Sequence, residues 1–207
     1  MSENIPRFKT LFTDIGGVLL NNGWDRKKRA AAVEKFHLDA TEVDERHHLT
    51  FDTYEEGKLS LDEYLDRLVF YEKRDFSRQE FKDFMFQSSA AYPEMIELYR
   101  SLKKKYGFRI GVISNEGREL NDYRISTFKL NEFVNFFISS SFVHLRKPDI
   151  DIFKLAIDIA QVNPSDVLYV DDREMFVQVA EKAGLHGLVH KNYEETKQKL
   201  AGYGWTL

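Results

Sequence analysis

The sequence predicts an α/β protein: a parallel sheet with helices on both faces, interrupted early by a helical unit. Three observations predict it. From about residue 93 onward, short β-branched runs alternate with helix-period stripes, the pattern of repeated βα units. Before that, about 70 residues after the first strand carry only helical signals. Reactive side chains recur where the strands end, which is where open parallel sheets bind their ligands.

The elements follow in order. Phe8 to Gly17 (FKTLFTDIGG) is apolar and β-branched and ends in two glycines, a strand followed by a tight turn. Trp24 to His37 reads as a helix, and Thr41 with Asp44 marks a weaker second start. Ser60 and Glu63 have capping-box spacing, with Leu61, Tyr64, Leu65, Leu68 and Val69 on one face behind them. Ser77 and Glu80 repeat the box ahead of Phe81, Phe84 and Met85. Pro93 suits a first helical turn, Met95, Leu98, Tyr99 and Leu102 form its buried stripe, and Gly107 ends it. FRIGVIS (108–114) is the second strand, a polar helix runs from about Arg118 to Leu130, and NFFIS (135–139) is the third strand. Asp149 to Ala160 is a helix with Phe153, Ala156, Ile157 and Ala160 on one face. VLYVDD (167–172) is the fourth strand, and Phe176, Val179, Ala180 and Ala183 stripe the helix after it. GLHGLVH is a short last strand, and Tyr193 to Ala201 a last helix.

At roughly 150 residues per domain, 207 residues make one domain with a sizeable insertion, or two small ones. A hydrophobic content of 43% supports a real core and argues against a disordered chain. Thirty basic residues against 34 acidic ones, net −4, disfavour a nucleic-acid coat. With no cysteine, disulfides, thiol nucleophiles and cysteine-bound metals are excluded. No apolar run approaches the ~20 residues of a membrane helix, and MSENIPRFK lacks the apolar core of a secretory leader. The expectation is a soluble, cytoplasmic protein with neither membrane nor nucleic-acid partner.

The strand ends supply a specific set of groups: Asp14 at the first, Ser114 with neighbouring amides at the second, Lys147 on the loop after the third, Asp171 and Asp172 at the fourth. Carboxylates clustered in this way repel one another unless a hard cation such as Mg²⁺ joins them. The serine, lysine and backbone N–H groups suit phosphate oxygens. A carboxylate can also attack phosphorus and form an aspartyl-phosphate.

In order, FTDIGGVLL, VISN, RKPD and YVDD resemble the four motifs of the haloacid dehalogenase superfamily, each after the matching element. The resemblance covers nearly the whole chain. It implies a three-layer Rossmann-like core from residues 1–19 and 91–207, with residues 20–90 as an inserted four-helix cap. EEGKLSLDEY (55–64) resembles a stretch in sugar-phosphate phosphatases of the family. By position, the resemblance implies Asp14 as nucleophile and metal ligand, with the Gly16 carbonyl as a second ligand. Ser114 and the amide of Asn115 would hold phosphoryl oxygens. Lys147 would neutralise phosphate and nucleophile. Asp172 would bind Mg²⁺ directly, and Asp171 would support it through water or Lys147; a purely structural carboxylate is the other reading of Asp171.

The departures matter as well. Most phosphatases of this family carry an aspartate two residues after the nucleophile, which protonates the leaving alcohol; here it is Gly16. Loss of a general acid typically costs 10²–10⁴ in rate, so Gly16 implies a preference for good leaving groups and argues against a phosphomutase. Relatives usually place Asn or Asp at the position of Phe176, which implies weaker metal binding and core packing for the ring. Arg173 can pair with an acidic group or face the cap. His144, three residues before Lys147, is a candidate proton donor, with a structural loop hydrogen bond as its other reading. His47 and His48 form a second, weaker candidate. Trp24, Asp25 and Arg26 can reach the substrate, or serve packing and solvation. The basic runs 27–29 and 103–105 read as solvated helix faces, and the 17 phenylalanines as core. The function implied is a Mg²⁺-dependent phosphohydrolase for a small phosphorylated metabolite. The alternatives are a hydrolytic dehalogenase, against which Asp171 and Asp172 count, and a non-catalytic member that binds a phospholigand or a protein.

Overall fold

The structure is a computed structural model that describes residues 6–207. Residues 1–5, the start of the MSENIPRFK stretch, lie outside the described residues. Among the described residues, five parallel strands form one sheet in the order β3-β2-β1-β4-β5: β1 (Thr10–Thr13), β2 (Arg109–Ser114), β3 (Phe136–Ser139), β4 (Val167–Asp171) and β5 (His186–Val189). Strand succession moves from β1 to one side, then crosses back to β4 on the other, so the order reverses beside β1.

Alternation along the strands separates two apolar layers. Leu11, Ile110, Val112, Leu168 and Val170 point to one face, where helix α5 (Pro93–Tyr106) and helix α10 (Tyr193–Gly202) cover them together with Trp205. Phe12, Ile113, Val167 and Tyr169 point to the other, under α8 (Ile150–Ala160) and α9 (Glu174–Lys182). The result is a three-layer Rossmann-like α/β fold. No helix among the described residues is long and apolar enough to cross a membrane.

Between β1 and α5 lie four helices: α1 (Arg26–Lys35), α2 (Ala40–Glu55), α3 (Leu61–Leu68) and α4 (Arg78–Gln87). They gather around an apolar cluster of their own, which includes Phe36, Tyr64, Leu65, Leu68, Phe81 and Met85, and which Leu120 of α6 (Arg118–Thr127) joins. Both capping boxes form, at Ser60–Glu63 and Ser77–Glu80. Gly107 ends α5 in the left-handed region.

Several expectations are corrected. Asp39, not Thr41, caps α2, because its Oδ1 accepts from the N–H groups of both Thr41 and Glu42. Helix α6 stops at Thr127, since Lys129 turns left-handed (φ 53°) and a 3₁₀ turn follows at Leu130–Glu132. The buried stripe of α9 is Phe176, Val177 and Ala180; the sheet runs close beneath Val177, and Val179 and Ala183 fall to its flank. A one-turn helix without a sequence signal, α7 (Ser140–Val143), follows β3 and touches α2.

Candidate active site

The carboxyl ends of β1, β2 and β4, beside the point where strand order reverses, line a cavity of about 370 Å³ closed on its other side by α1, α2 and α3. Register explains the convergence. Thr13 pairs with Val112 and Val170, so Asp14 and Asp171, one residue beyond, and Ser114, two beyond, come to the same edge of the sheet.

Lys147 joins the carboxylates. It is 1% exposed, and its Nζ lies 2.7 Å from Asp171 Oδ2, 3.2 Å from Asp14 Oδ2 and 3.2 Å from the Tyr169 hydroxyl. Burial pulls its pKa down, but Asp14 and Asp171 outweigh burial and the net direction is up. Asp171 is fully buried; besides Lys147 it accepts from the Tyr169 hydroxyl and, at 2.8 Å, from the Arg173 N–H. Burial raises Asp14 to about 6; Lys147 opposes the rise, and Asp171 and Asp172 add to it. Ile15 N–H donates to Asp14 Oδ1 at 2.8 Å.

Asp172 differs from its neighbour. It is half-buried, its Oδ1 has no hydrogen-bond partner, and burial followed by Asp171 raises its pKa. Gly17 lies against it with φ +73°, and a Cβ there would sit 2.2 Å from Asp172 Oδ2. One oxygen each from Asp14, Asp171 and Asp172 fall within 4.8 Å of one another. Three clustered carboxylates, two of them on one lysine and the third with a buried oxygen unsatisfied, form a donor set that fits a hard divalent cation.

The other expected residues separate into two groups. Ser114, Asn115, Gly16 and Trp24 line the cavity. The Asn115 side chain is committed elsewhere: its Nδ2 donates to the Lys147 carbonyl and its Oδ1 accepts the Lys147 N–H, both at 2.8 Å, which holds the lysine loop against β2 and leaves only the Asn115 backbone for a ligand. Trp24 Nε1 donates to the Tyr64 hydroxyl at 3.0 Å, a hydroxyl that His47 Nδ1 also meets at 2.7 Å. Burial, then Arg29, lowers His47 to about 3, so its ring is neutral. His144 is not brought to the cavity. It is exposed, with its Nδ1 2.7 Å from the Glu56 carbonyl, because its left-handed backbone (φ 57°) turns it toward the α2–α3 loop. Phe176 is buried as expected, but it faces the site, with Lys147 Nζ 5.0 Å from its ring centre. Arg29 is not a solvated lysine-run residue; it lines the cavity and donates to the Trp24 carbonyl.

Sequence reasoning missed a second ring of charge. Glu116 is 8% exposed and pairs with buried Arg124 at 2.5 Å. Burial raises Glu116 to about 7, with Arg124 opposing and Glu55 and Asp14 adding. Glu55, at the end of α2, meets Arg146 at 2.7 Å, and Arg146 also meets Asp52. Burial raises Glu55 against the pull of Arg146. The segment 55–57 docks on α7: Ser140 Oγ donates to the Glu55 carbonyl, and a Cβ on Gly57 (φ +69°) would lie 2.0 Å from the Ser141 carbonyl oxygen. Two signals were usable: the glutamate immediately after the second motif, and Glu55 at the head of the stretch EEGKLSLDEY.

Comparison with known proteins agrees with this geometry. A family profile described as haloacid dehalogenase-like hydrolase matches residues 8–184. D-ribitol-5-phosphate phosphatase of Bacteroides thetaiotaomicron is 27% identical over 216 aligned positions, covering 93% of this chain and 96% of that protein. (S)-2-haloacid dehalogenase 4A of Burkholderia cepacia is 27% identical over 101 positions, covering 49% of this chain and 43% of that protein. A haloacid dehalogenase family enzyme from Bacteroides thetaiotaomicron, crystallised with magnesium and inorganic phosphate, superposes with a TM-score of 0.75 at 22% identity, covering 89% of this chain and 94% of that one.

Proposed function

Because this chain belongs to the haloacid dehalogenase-like hydrolase family, we propose that it is a Mg²⁺-dependent phosphohydrolase of a small phosphorylated metabolite. Residues 1–19 and 91–207 are the catalytic core and residues 20–90 the cap; the separate apolar cluster of α1–α4 supports that division. The observation that carries the reading is Lys147 held between Asp14 and Asp171 beside a third, unsatisfied carboxylate.

Asp14 is the nucleophile. Its oxygen forms a bond to phosphorus as the ester P–O bond breaks, and the electron pair leaves with the alcohol oxygen. Water then attacks phosphorus, the P–O bond to Asp14 breaks, and inorganic phosphate departs with the carboxylate restored. Ser114 and the Asn115 N–H hold phosphoryl oxygens, and Lys147 offsets negative charge on both partners. Asp171, buried behind Lys147, fixes the position of its ammonium. Bound by Asp14, the Gly16 carbonyl and Asp172, Mg²⁺ would supply further charge stabilisation on the transferring group. Gly16 offers the leaving oxygen no proton, so esters of acidic alcohols react best. The three-carboxylate cluster favours this reading over dehalogenation, which needs no cation. The similarity to a ribitol-phosphate phosphatase, over nearly the full length of both chains, supports it as well.

The test is phosphate release from p-nitrophenyl phosphate, acetyl phosphate, glucose 1-phosphate and glucose 6-phosphate, with and without Mg²⁺, beside Asp14→Asn. The expected result is turnover that needs both Mg²⁺ and Asp14 and is faster with better leaving groups. Metal-independent release of halide from a 2-haloacid, without phosphate release from any ester, overturns it.

A further inference from the structure

The reaction uses Asp14, Ser114, Lys147, Asp171 and Asp172; it leaves the rest of the cavity wall unexplained. Three cations of that cavity are spent on carboxylates: Lys147 on Asp14 and Asp171, Arg124 on Glu116, and Arg146 on Glu55 and Asp52. Arg29 of α1 is not. It is half-buried, and its side chain makes one hydrogen bond among the described residues, from Nη1 to the Trp24 carbonyl at 2.8 Å. Burial lowers its pKa; Tyr64, Asp44 and Asp25 oppose, but neither aspartate forms a salt bridge with it. Its Nε and Nη2 donate to nothing among the described residues and are not sealed from solvent. A half-buried cation without a counter-ion has lost hydration that an anionic ligand would replace.

A second free donor stands beside it on α2. Trp24 Nε1 can only donate, so the Tyr64 hydroxyl oxygen accepts from it at 3.0 Å. The Tyr64 proton then has one acceptor among the described residues, His47 Nδ1 at 2.7 Å. That chain assigns the imidazole proton to Nε2. The ring also stacks on Phe51 at 4.8 Å, so its tautomer and its orientation are both held. His47 Nε2 has no partner among the described residues and is not sealed from solvent. Arg29 and His47 both line the cavity. Arg29 adds to burial in lowering His47, and with Trp24 it opposes the rise that burial gives Tyr64, so the guanidinium stands close to both.

Charge decides which ligand. Glu116 and Glu55 each have an arginine partner, so neither brings an uncompensated negative charge to the wall. Arg26 and Arg173, exposed at the rim, add to Arg29. Against these three stands one further carboxylate of the lining, Asp25, which caps α1 by accepting from the Lys28 N–H at 2.9 Å. Beyond the phosphoryl position the wall is therefore positive and presents N–H donors. A hydroxyl or an amide there leaves the charge of Arg29 unmatched. An oxyanion accepts from the guanidinium fork and from His47 together.

The geometry points to a second anion subsite formed by Arg29 and His47, so that the substrate is a phosphate monoester whose leaving group carries a further oxyanion, a carboxylate or a second phosphate. This rests on the phosphohydrolase reading and adds the charge of the leaving group. It agrees with a preference for acidic leaving hydroxyls, because acidity belongs to the oxygen that departs and the anion to the far end of the same group. Arg29 donates from its open Nε and Nη2 edge and His47 from Nε2. Trp24 and Tyr64 are positioning residues that hold His47 in that tautomer.

The experiment uses aryl phosphates, all with acidic leaving phenols: 4-carboxyphenyl against 4-carbamoylphenyl phosphate, the 3-substituted pair, and 4-phosphonophenyl phosphate. The amide nearly matches the carboxylate in shape and makes the phenol slightly more acidic, so leaving-group acidity works against the expected order. Wild type is expected to favour a charged ester over its amide by about tenfold or more in kcat/KM, mainly through KM. A preference for the carboxylates assigns a carboxylate to the subsite; one for the phosphono ester alone assigns a phosphate. Arg29→Gln brings the ratio to within about twofold of unity. His47→Asn keeps an acceptor for Tyr64, removes the Nε2 donor and lowers the ratio by about threefold to tenfold. Each ratio is taken within one protein, so a general loss of activity cancels. Should Arg29→Gln fail to fold, Arg29→Lys, which keeps the charge without the fork, is read in its place and lowers the ratio less. Equal or inverted preference in wild type, or a preference unmoved in the variants at both positions, overturns the subsite alone. No turnover of any ester overturns the phosphohydrolase reading, and the subsite with it.

Discussion

Asp171 and Asp172 are adjacent in sequence, and the structure gives them opposite consequences on neutralisation. Asp171→Asn removes the charge that Lys147 Nζ meets at 2.7 Å in a fully buried setting. Breaking such a pair costs about 3–5 kcal/mol. Two facts place this one at the low end: Lys147 keeps Asp14 at 3.2 Å, and Asp14 is relieved of the repulsion from Asp171. At about 3 kcal/mol and about 2–4 °C per kcal/mol for a chain of this size, the melting temperature falls by about 6–12 °C. Asp172→Asn breaks no ion pair; its Oδ1 is unpartnered and its charge is repelled by Asp171. Its stability without cation stays within about 1 kcal/mol of wild type, with the change upward. Mg²⁺ reverses the comparison. At a hundredfold excess over its Kd, a ligand of the native state adds about 2.7 kcal/mol, or about 5–11 °C here. Wild type shows that gain, and Asp172→Asn loses most of it. Thermal melts of the three proteins with and without Mg²⁺ measure all of this. If Asp172→Asn lowers the cation-free melting temperature as far as Asp171→Asn, or keeps the full Mg²⁺ gain, the division between a lysine anchor and a metal ligand is wrong.

The remaining predictions concern the wall and the insertion. Glu116 has a native pKa of about 7 against an ordinary 4.5, so the native state holds the proton more tightly and this group's stabilisation is present below about pH 4.5 and lost as pH rises toward 7. Cation-free melts of wild type minus Glu116→Gln should therefore fall across that window, and a flat difference refutes the shift. Gly57→Ala forces a left-handed alanine at about 1–2 kcal/mol and drives its Cβ into the Ser141 carbonyl; chemical denaturation should show at least that loss. Ser60→Ala removes one half of a formed capping box and should cost about 1 kcal/mol by the same measurement, with kcat unchanged, since Ser60 is exposed and outside the cavity.

What could be read in the sequence was what depends on neighbours along the chain. Capping boxes at Ser60 and Ser77 are satisfied within three residues, so spacing alone announces them. Short apolar, β-branched runs alternating with period-3.6 stripes declare a parallel α/β sheet, and the sheet then brings Asp14, Ser114 and Asp171 to one edge. Where signals compete over a few residues, as at Asp39 against Thr41, the winner depends on which oxygen reaches two amides at once. Tertiary structure alone decided the rest. His144 and Glu116 each lie within three residues of a motif; one turned outward to the Glu56 carbonyl and the other was buried against Arg124. Nothing local distinguishes them, because burial and pairing are set by segments far away in the chain. The sequence by itself determined the fold and which strand ends carry reactive groups; folding decided which of those groups share a cavity, since charge, desolvation and hydrogen bonding act through space over a few ångströms.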